Sequence, residues 1–353
     1  MDKIAIYPFP YSSGSNLYID LLYNPFKKGE IGDEVFGIVD CKNSFVQLLS
    51  NSKRSKDYGK NIIHIHWITA IYGSRFLIKS LAILIVNFSI ILFLKKFKKY
   101  RICWTMHNYS SHDYPHPFVD RIGRRLLFKI ADQIIIQQKK EFQELGHVSK
   151  LTYIPIANYI NAYGLVSRNR SFLEEKFNLA NDDIVLLSLG LIRPYKKIES
   201  IIEIFKTLAD KKPNLKLIVA GSCKPSYRDK LIKLADGSKN VIFDFGFIEN
   251  KAISDYLAGA DYSIFWFDDS VLTSAGLMLT LSYGVPAIIR NITASELIEE
   301  GKNGFVFKDE KELGDILLKL DKVEINPENI IDSVREYSQQ NIAFKLAELY
   351  KTI

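Results

Sequence analysis

Three basic residues follow a glycine in the segment Gly190–Lys197, the part of this sequence best suited to phosphate chemistry. An apolar run, Ile184–Leu189, precedes the segment, and an amphipathic stretch, Ile198–Leu208, follows it. Arginine presents a rigid fork of donors, lysine a point charge, and a helix start adds free N–H groups. A strand, the Gly190 turn with Arg193 and Lys196, and a helix therefore predict a diphosphate site. A solvated surface turn is the alternative interpretation.

The start of the helix predicted after residue 272 is a second candidate for ligand binding. Thr273 or Ser274 fits an N-cap, and Gly276 keeps the first turn small enough for an anion to reach the backbone N–H groups. Plain capping explains the same residues. The pattern Gly284-Val285-Pro286 predicts the end of this helix and the start of another strand.

Two further side chains follow predicted strands of the C-terminal half. Phe247, after the strand Val241–Phe245, could stack on a nucleobase, and packing in the core is an equally good account. Glu296, after the strand Ala287–Arg290, could bond sugar hydroxyls or simply begin a helix with an acid. Both are ligand candidates because ligands of open α/β sheets sit outside the carboxyl ends of the strands.

Histidines end two predicted strands of the N-terminal half. His66 and His107 can each donate to a sugar hydroxyl or act as a base near neutral pH. Asp113, in the loop after the second of these strands, is a third candidate base. His64 points to the same face as His66. No third ligand follows at a spacing that suits zinc, so we expect His64 to be a core residue.

The loop between the first predicted strand and the first helix is rich in glycine and serine. Ser13, Gly14 and Asn16 lie in this loop, where the backbone can approach a ligand closely. The loop is not a Gly-x-Gly-x-x-Gly pattern. The chain also lacks Gly-x-x-x-x-Gly-Lys-Ser/Thr, which counts against a P-loop kinase or ATPase.

Length and composition indicate a globular protein of two domains. The chain has 353 residues, 47% hydrophobic and 25% charged, with a net charge of +7 that suits anionic partners without choosing among them. Its three cysteines are far apart, which favours a reducing compartment over a disulfide framework or a zinc site. The first residues have no signal-peptide pattern, so we expect a cytoplasmic protein.

Short β-rich runs alternate with helical patterns along the whole chain, which predicts mostly parallel sheets. Two series of similar size indicate two Rossmann-like domains joined by a linker within residues 161–183. A final helix is predicted from Asn341 to Ile353. The predicted strands are Lys3–Phe9, Glu34–Val39, Ile62–His66, Ile102–His107, Gln133–Gln137, Leu151–Ile154, Ile184–Gly190, Leu215–Gly221, Val241–Phe245, Tyr262–Phe267, Ala287–Arg290 and Gly304–Phe307.

One apolar segment, Leu81–Leu94, raises the question of a membrane. It is shorter than the roughly 20 residues that a spanning helix needs. A helix buried on the sheet is one interpretation. The polybasic run Lys95–Arg101 that follows it also suits an anionic bilayer surface, so peripheral membrane contact through residues 81–101 is the other.

At these residues the chain resembles the GT-B glycosyltransferases, and within them the family 4-like group of bacterial polysaccharide enzymes. The similarity extends over nearly the whole chain, in the family's order. The matching stretches are HIHW (64–67), TMHN (105–108), IPIANY (154–159), GLIRPYKKIES (190–200), VAGS (219–222), LTSAGLMLTLSYGVPAI (272–288) and SELIEEGKNGFVF (295–307).

The resemblance implies an α/β protein of the GT-B fold, whose two Rossmann-like domains have parallel sheets that face a central cleft. An acceptor-binding domain would span residues 1–165 and a nucleotide-sugar domain 178–335, with the helix 336–353 packing back on the first. It implies that His107 lies near the transferred sugar. The implied donor-binding residues are Gly190, Arg193, Lys196, Gly221, Phe247, Thr273, Ser274, Gly276 and Glu296. The acceptor-binding candidates are Ser13, Gly14, Asn16 and Trp67.

The chain departs from the family's pattern at two positions. Retaining members usually carry two glutamates eight positions apart around the donor-binding helix, and here those positions are Val271 and Leu279. In this respect the chain is similar to inverting enzymes. Such enzymes look metal-independent, with cations in place of magnesium, and the adjacent Asp268 and Asp269 alone are a weak magnesium signal.

Taken together, these patterns predict a glycosyltransferase that uses a UDP- or GDP-sugar. Its acceptor would be a glycan or a lipid-linked saccharide of a cell-surface polysaccharide, such as an exopolysaccharide or a capsule, at the inner face of the cell membrane. His107, His66 and Asp113 are its candidate bases. We expect no cofactor, metal or nucleic-acid partner. A sugar-nucleotide epimerase or hydrolase of the same fold, and a non-catalytic nucleotide-sugar-binding protein, are the alternatives.

Overall fold

Two compact units make up the chain, and each is built on its own parallel sheet. The computed structural model describes residues 3–12, 17–32, 35–51, 58–111, 114–145, 148–165, 167–320 and 325–353. The first unit contains residues 1–157 and 337–353, and the second contains 158–336.

The first unit has a six-stranded sheet in the order β2-β1-β3-β4-β5-β6, with every neighbouring pair parallel. Each residue of β1 is buried, as expected for a sheet covered on both faces. The order reverses between β1 and β3, which makes the sheet doubly wound. Its strands are β1 (Ile4–Phe9), β2 (Phe36–Ile38), β3 (Lys60–Ile65), β4 (Arg101–Met106), β5 (Gln133–Ile136) and β6 (Leu151–Tyr153).

Helices cover both faces of this sheet, and the last of them comes from the far end of the chain. The helices are α1 (Tyr18–Lys27), α2 (Phe45–Asn51), α3 (Thr69–Tyr72), α4 (Leu77–Lys98), α5 (Pro117–Ile130), α6 (Lys139–Leu145) and α14 (Gln339–Thr352). Helix α14 packs on α1. Its Tyr350 is fully buried, and the Lys60 ammonium donates to the Tyr350 carbonyl at 3.2 Å.

The second unit has a six-stranded sheet in the order β12-β11-β10-β7-β8-β9, also parallel throughout. Its strands are β7 (Ile184–Leu189), β8 (Leu215–Gly221), β9 (Val241–Phe245), β10 (Tyr262–Phe265), β11 (Ala287–Arg290) and β12 (Gly304–Phe307). Its helices are α7 (Ser171–Phe177), α8 (Ile198–Leu208), α9 (Pro225–Leu234), α10 (Asn250–Gly259), α11 (Ala275–Ser282), α12 (Glu310–Lys319) and α13 (Pro327–Arg335).

The predicted α/β class and the two Rossmann-like domains are confirmed, and each predicted strand is present. Some boundaries differ. Residues 158–165 group with the second unit, and residues 161–183 are not a plain linker, because α7 lies there and packs on α10. Leu173 of α7 is fully buried, so this segment contributes to a core.

Helix α4 is the largest departure from the sequence analysis. The predicted apolar segment of 14 residues extends in the structure to a helix of 22 residues, because Leu77–Ser80 and Lys95–Lys98 continue it at both ends. By length and composition, α4 is the one helix of the described residues that could cross a membrane. The core helix of a soluble protein passes the same test.

Candidate functional site

The carboxyl edge of the second sheet brings together most of the predicted donor-binding residues. Strand order reverses between β7 and β10, and ligands of such sheets bind in the crevice at this point. The segment Gly190–Lys197 follows β7 directly, and residues 266–274 follow β10. The two segments meet: the Asp268 N–H donates to the Tyr195 carbonyl at 2.9 Å, and the Tyr195 and Phe267 rings stack.

Two glycines pack against each other at the ends of β7 and β8. A Cβ atom on Gly221 would lie 1.9 Å from the Gly190 carbonyl oxygen, and both residues have positive φ, at +143° and +101°. No residue with a side chain fits this contact. Hydrogen bonds of the parallel-sheet type continue past this contact. The Gly190 N–H donates to the Ala220 carbonyl, and the Ile192 N–H donates to the Ser222 carbonyl, each at 2.9 Å. The turn after β7 is therefore held as a fixed extension of the sheet.

The predicted cations lie on this fixed turn. The short 3₁₀ helix Pro194–Lys196 folds the chain back, so that the Lys196 ammonium donates to the Leu189 carbonyl at 3.2 Å. That ammonium lies 3.7 Å from where a Cβ of Gly190 would be. Burial lowers the pKa of Lys196 to about 8, and the nearby Arg193 charge adds to the shift. Two cations held this close to each other, one of them poorly hydrated, form a site that an anion would stabilise.

The start of helix α11 carries a second polar group of the same edge. The Ser274 hydroxyl accepts the Leu277 N–H at 3.0 Å, so Ser274 is the N-cap. The Thr273 Oγ1 atom is buried and has no hydrogen-bond partner within the described residues. A buried hydroxyl without a partner costs free energy that a ligand could recover. Thr273 therefore remains a ligand candidate, whereas the role found for Ser274 is structural.

The structure separates the other predicted donor residues by their surroundings. Phe247 has 64% of its surface exposed, which rules out core packing and leaves its ring free to stack. Gly276 has packing on its Cβ side, where Phe265 lies at 3.4 Å, so this side offers no approach to an anion. Glu296 is exposed in the 3₁₀ helix Thr293–Leu297, which replaces the predicted start of an α-helix.

The two positions that lack glutamate pack in the protein core or beside it. Val271 is buried, and Leu279 packs against the apolar cluster that includes Leu257. Asp269 is paired with Arg290 at 2.7 Å, and Asp268 accepts the Ser270 N–H at 3.0 Å. Among the described residues, no group of three His, Cys, Asp or Glu side chains is placed to hold a metal ion.

The carboxyl edge of the first sheet holds the histidines. His66 follows β3 and His107 follows β4, so each predicted strand ends one residue earlier in the structure than the sequence pattern predicts. The prediction that His64 belongs to the core is supported by its contacts. Its Nδ1 lies 2.6 Å from both the Tyr23 and the Tyr350 hydroxyls, and its Nε2 lies 2.8 Å from that of Thr105.

An aromatic cluster surrounds the two edge histidines. The Trp67 and His107 rings stack at 5.3 Å, and the edge of Tyr18 meets both, at 5.7 and 5.0 Å. Gln137, just after β5, donates to the Tyr18 hydroxyl at 3.2 Å. Three buried atoms here lack a hydrogen-bond partner within the described chain: His66 Nδ1, His107 Nε2 and Gln137 Oε1.

Sequence analysis did not identify Tyr18 and Gln137 as site residues. Gln137 was assigned to the end of a strand, and its position just past β5 was the signal available for it. Tyr18 has no such signal, because it is the first residue of α1 and reaches the cluster only through the fold. The predicted residues Asp113, Ser13, Gly14 and Asn16 lie outside the described residues.

Burial keeps the edge histidines neutral. It lowers the pKa of His107 to about 4, although the nearby Gln137 side chain acts in the opposite direction, and moves the pKa of His66 well below its usual range. An efficient general base has a pKa near the working pH. Both rings are therefore better suited to hydrogen bonding with a neutral hydroxyl than to removing its proton.

The lowered pKa of His107 predicts a loss of stability in mild acid. The unfolded chain binds the proton near pH 6.5 and the folded chain only near pH 4, so the free energy of unfolding falls as the pH drops below 6.5. Between pH 6 and 5, this residue contributes a fall of about 1 kcal/mol. Urea unfolding of the wild type and His107→Gln at each pH should give a shallower slope for the variant. Equal slopes would contradict the burial of the ring.

Comparison with known proteins finds similarity to a described family, mostly within the second unit. Residues 169–341 match the family model described as glycosyl transferases group 1. Among curated proteins, the chain is 27% identical to alpha-monoglucosyldiacylglycerol synthase of Acholeplasma laidlawii over 72% of this chain and 70% of that one. It is 25% identical to the processive diacylglycerol alpha-glucosyltransferase of the same organism, over 64% and 69% of the two chains.

Solved structures resemble the fold over the full length. Anabaena Alr3699/HepE in complex with UDP has a TM-score of 0.68 at 16% identity and covers 99% of this chain and 100% of its own. The same protein with UDP-glucose has a TM-score of 0.70 at 15% identity over the whole of both chains. Sucrose-phosphate synthase of Thermosynechococcus elongatus has a TM-score of 0.70 at 14% identity, over 99% and 98%. At these identities the likeness is one of fold.

Proposed function

We propose that this chain, which has the GT-B fold and whose residues 169–341 match the group 1 glycosyltransferase model, moves a hexose from a nucleotide diphosphate to a lipid-borne acceptor. The observation that carries the proposal is the pair of cations on the turn after β7. Lys196 and Arg193 are held there by the Gly190–Gly221 contact, at the crevice where the strand order reverses.

The proposed chemistry is a displacement at the anomeric carbon of the donor sugar. The bond from that carbon to the diphosphate oxygen breaks, and the bond to the acceptor oxygen forms as the acceptor hydroxyl loses its proton. Negative charge grows on the departing diphosphate, where Lys196 and Arg193 would stabilise it. These two cations would take the part that a magnesium ion plays elsewhere, so we propose that the reaction needs no metal.

The donor base and the acceptor class are proposed from the relatives. UDP and UDP-glucose are bound in the Anabaena structures, which favours UDP over GDP as the nucleotide. Both curated relatives are named for glucosyl transfer in diacylglycerol lipids. We therefore propose a membrane lipid or a lipid-linked saccharide as acceptor, with the protein at the inner face of the membrane, and we place glycolipid synthesis ahead of an exopolysaccharide or capsule pathway.

The aromatic cluster of the first unit is proposed to bind sugar hydroxyls. His107 Nε2, His66 Nδ1 and Gln137 Oε1 are polar atoms that the described chain leaves unpaired, in the same cluster as the rings of Trp67 and Tyr18. Apolar ring faces and a few polar atoms that converge are the usual components of a site for a small polar molecule. Asp113 keeps its predicted role as a candidate base, because the pKa of His107 is low for one.

Radiolabelled UDP-glucose, incubated with the protein and with vesicles that do or do not contain diacylglycerol, tests transfer directly. Label that enters the lipid phase only with the acceptor supports a transferase. Acceptor-independent loss of UDP-glucose would indicate the hydrolase or epimerase, and donor binding without turnover would indicate a binding protein. Because Val271 and Leu279 replace the usual glutamates, we propose inversion, so an α-linked donor should give a β-linked product in proton NMR. Both curated relatives are named for alpha-linked glucosyl transfer, so an α-linked product would overturn inversion and agree with their names.

The cations should dominate turnover. Arg193→Ala and Lys196→Ala are each expected to lower kcat/KM by about a hundredfold or more, because each removes a charge that meets the leaving group. Lys197→Asn is the matched control. It removes the neighbouring exposed charge, and asparagine tolerates the positive φ of 47° at this position. Near-normal transfer by both alanine variants, with unchanged thermal unfolding, would show that the donor site lies elsewhere.

Donor affinity should fall in mild alkali. The free protein loses the Lys196 proton near pH 8, whereas a bound diphosphate would hold that proton, so binding weakens above pH 8. Calorimetry with UDP should give about a tenfold loss between pH 7 and 9. The arginine of Lys196→Arg keeps its charge over this range, so the UDP affinity of this variant should not change with pH. If both proteins lose affinity equally, the dependence belongs to another group.

A further inference from the structure

Helix α4 is apolar on the side that faces the first unit and on the side that faces away from it. A surface helix of a soluble protein normally has one apolar stripe and a polar opposite face. Within the most apolar stretch of α4, only 28% is buried. Some other environment must therefore cover the remaining apolar surface, or it stays in contact with water.

The inward stripe of α4 is part of the core of the first unit. Leu84, Phe88, Ile91 and Leu94 are all buried in the apolar cluster that also contains residues of β1, β3 and β4. The Asn87 side chain donates to the Ile71 carbonyl at 2.8 Å. Removing α4 from this position would therefore open the core. A helix fixed in this way cannot also cross a bilayer while the first unit stays folded.

The outward side carries a continuous series of large apolar residues. Ile78 is 84% exposed, and Ile85 and Phe97 are each 65% exposed. The other exposed apolar residues on this helix and just before it are Phe76, Leu77, Val86, Leu92 and Phe93. Single exposed apolar residues are normal, but a contiguous patch marks a binding surface.

Positive charge accompanies this apolar surface. Helix α4 has no acidic residue, and Lys79, Lys96 and Lys98 are exposed along it. Lys95 differs from these, because it pairs with Asp132 at 2.7 Å and belongs to the fold. The neighbouring helix α5 also exposes apolar and basic side chains together. Its Phe118 is exposed, and so are the basic residues Arg121 and Arg125. A second protein copy would have to match these like charges, whereas an anionic lipid surface attracts them all.

We propose that the outward side of α4 and the exposed side of α5 lie in the plane of an anionic phospholipid bilayer. In this arrangement the apolar residues enter the acyl boundary and the lysines meet lipid phosphates. This inference deepens the proposed function, on which it rests, because an enzyme with a lipid-borne acceptor must work at a bilayer surface. It also restricts the membrane contact to one face of one unit and excludes a spanning helix.

Vesicle sedimentation with the full chain and no donor tests the proposal apart from catalysis. The protein should bind vesicles of phosphatidylcholine mixed with phosphatidylglycerol, and bind phosphatidylcholine alone far more weakly. Changing Lys79, Lys96 and Lys98 together to Gln should lower binding on the order of a hundredfold. Changing Ile85, Val86 and Phe93 to Gln should lower it in both lipids. These six side chains are exposed or flank the core, so folding should persist.

Matched control variants use exposed residues elsewhere. Lys211, Lys311 and Lys319 changed together to Gln, and Ile232 with Phe344 changed to Gln, should leave binding unchanged. Equal losses in the control variants, or no binding of the wild type to anionic vesicles, would overturn the proposal. Resistance of the membrane-bound protein to alkaline carbonate extraction would also overturn the proposal, because it indicates a spanning helix. A dimer that dissociates on Ile85→Gln would overturn it too, because this surface would then bind a second copy of the chain. Vesicle binding without sugar transfer would leave this proposal standing and remove only the proposed function.

Discussion

The contact between Gly190 and Gly221 is the constraint on which the proposed donor site depends. Because Gly221 has no side chain, the Gly190 carbonyl can lie against it, and the turn after β7 becomes an extension of the sheet. That rigidity holds a lysine and an arginine near each other, at the cost of a depressed lysine pKa. A flexible turn would let the two charges separate into water, and the site would then have to be assembled anew each time a diphosphate arrived.

The first unit uses a different device to hold its functional edge. Tyr23 bonds both His64 and His66, and His64 in turn bonds Thr105 and Tyr350. A buried polar network that is well satisfied at its centre specifies one arrangement. Polar atoms without partners occur beside this network, at His66 and His107, where a ligand would complete them. Stability and availability for binding are thus divided between adjacent residues of the same two strands.

The sequence pattern was sufficient for the strands and for the positions of Arg193, Lys196, His66 and His107, because parallel sheets place strand-end residues at one edge. It could not identify Tyr18, which reaches that edge only through the path of α1. It underestimated the length of α4, and a periodicity rule applied to an uninterrupted apolar run cannot separate an inward stripe from an outward one. The role of Gly276 in donor binding stays a prediction, since a Cβ atom at this position would only make ordinary contact with Phe265 at 3.4 Å.

The final helix α14 has a consequence for the order of events during synthesis. The first unit needs residues 337–353, because Tyr350 fills its interior and bonds His64. The second unit is continuous in the chain, from 158 to 336. It can therefore fold before the ribosome has released residues 337–353, which the first unit needs. Until α14 is made, buried positions such as Tyr23 and Phe26 remain uncovered. The nascent first unit is therefore the stage at which a chaperone would find apolar surface to bind.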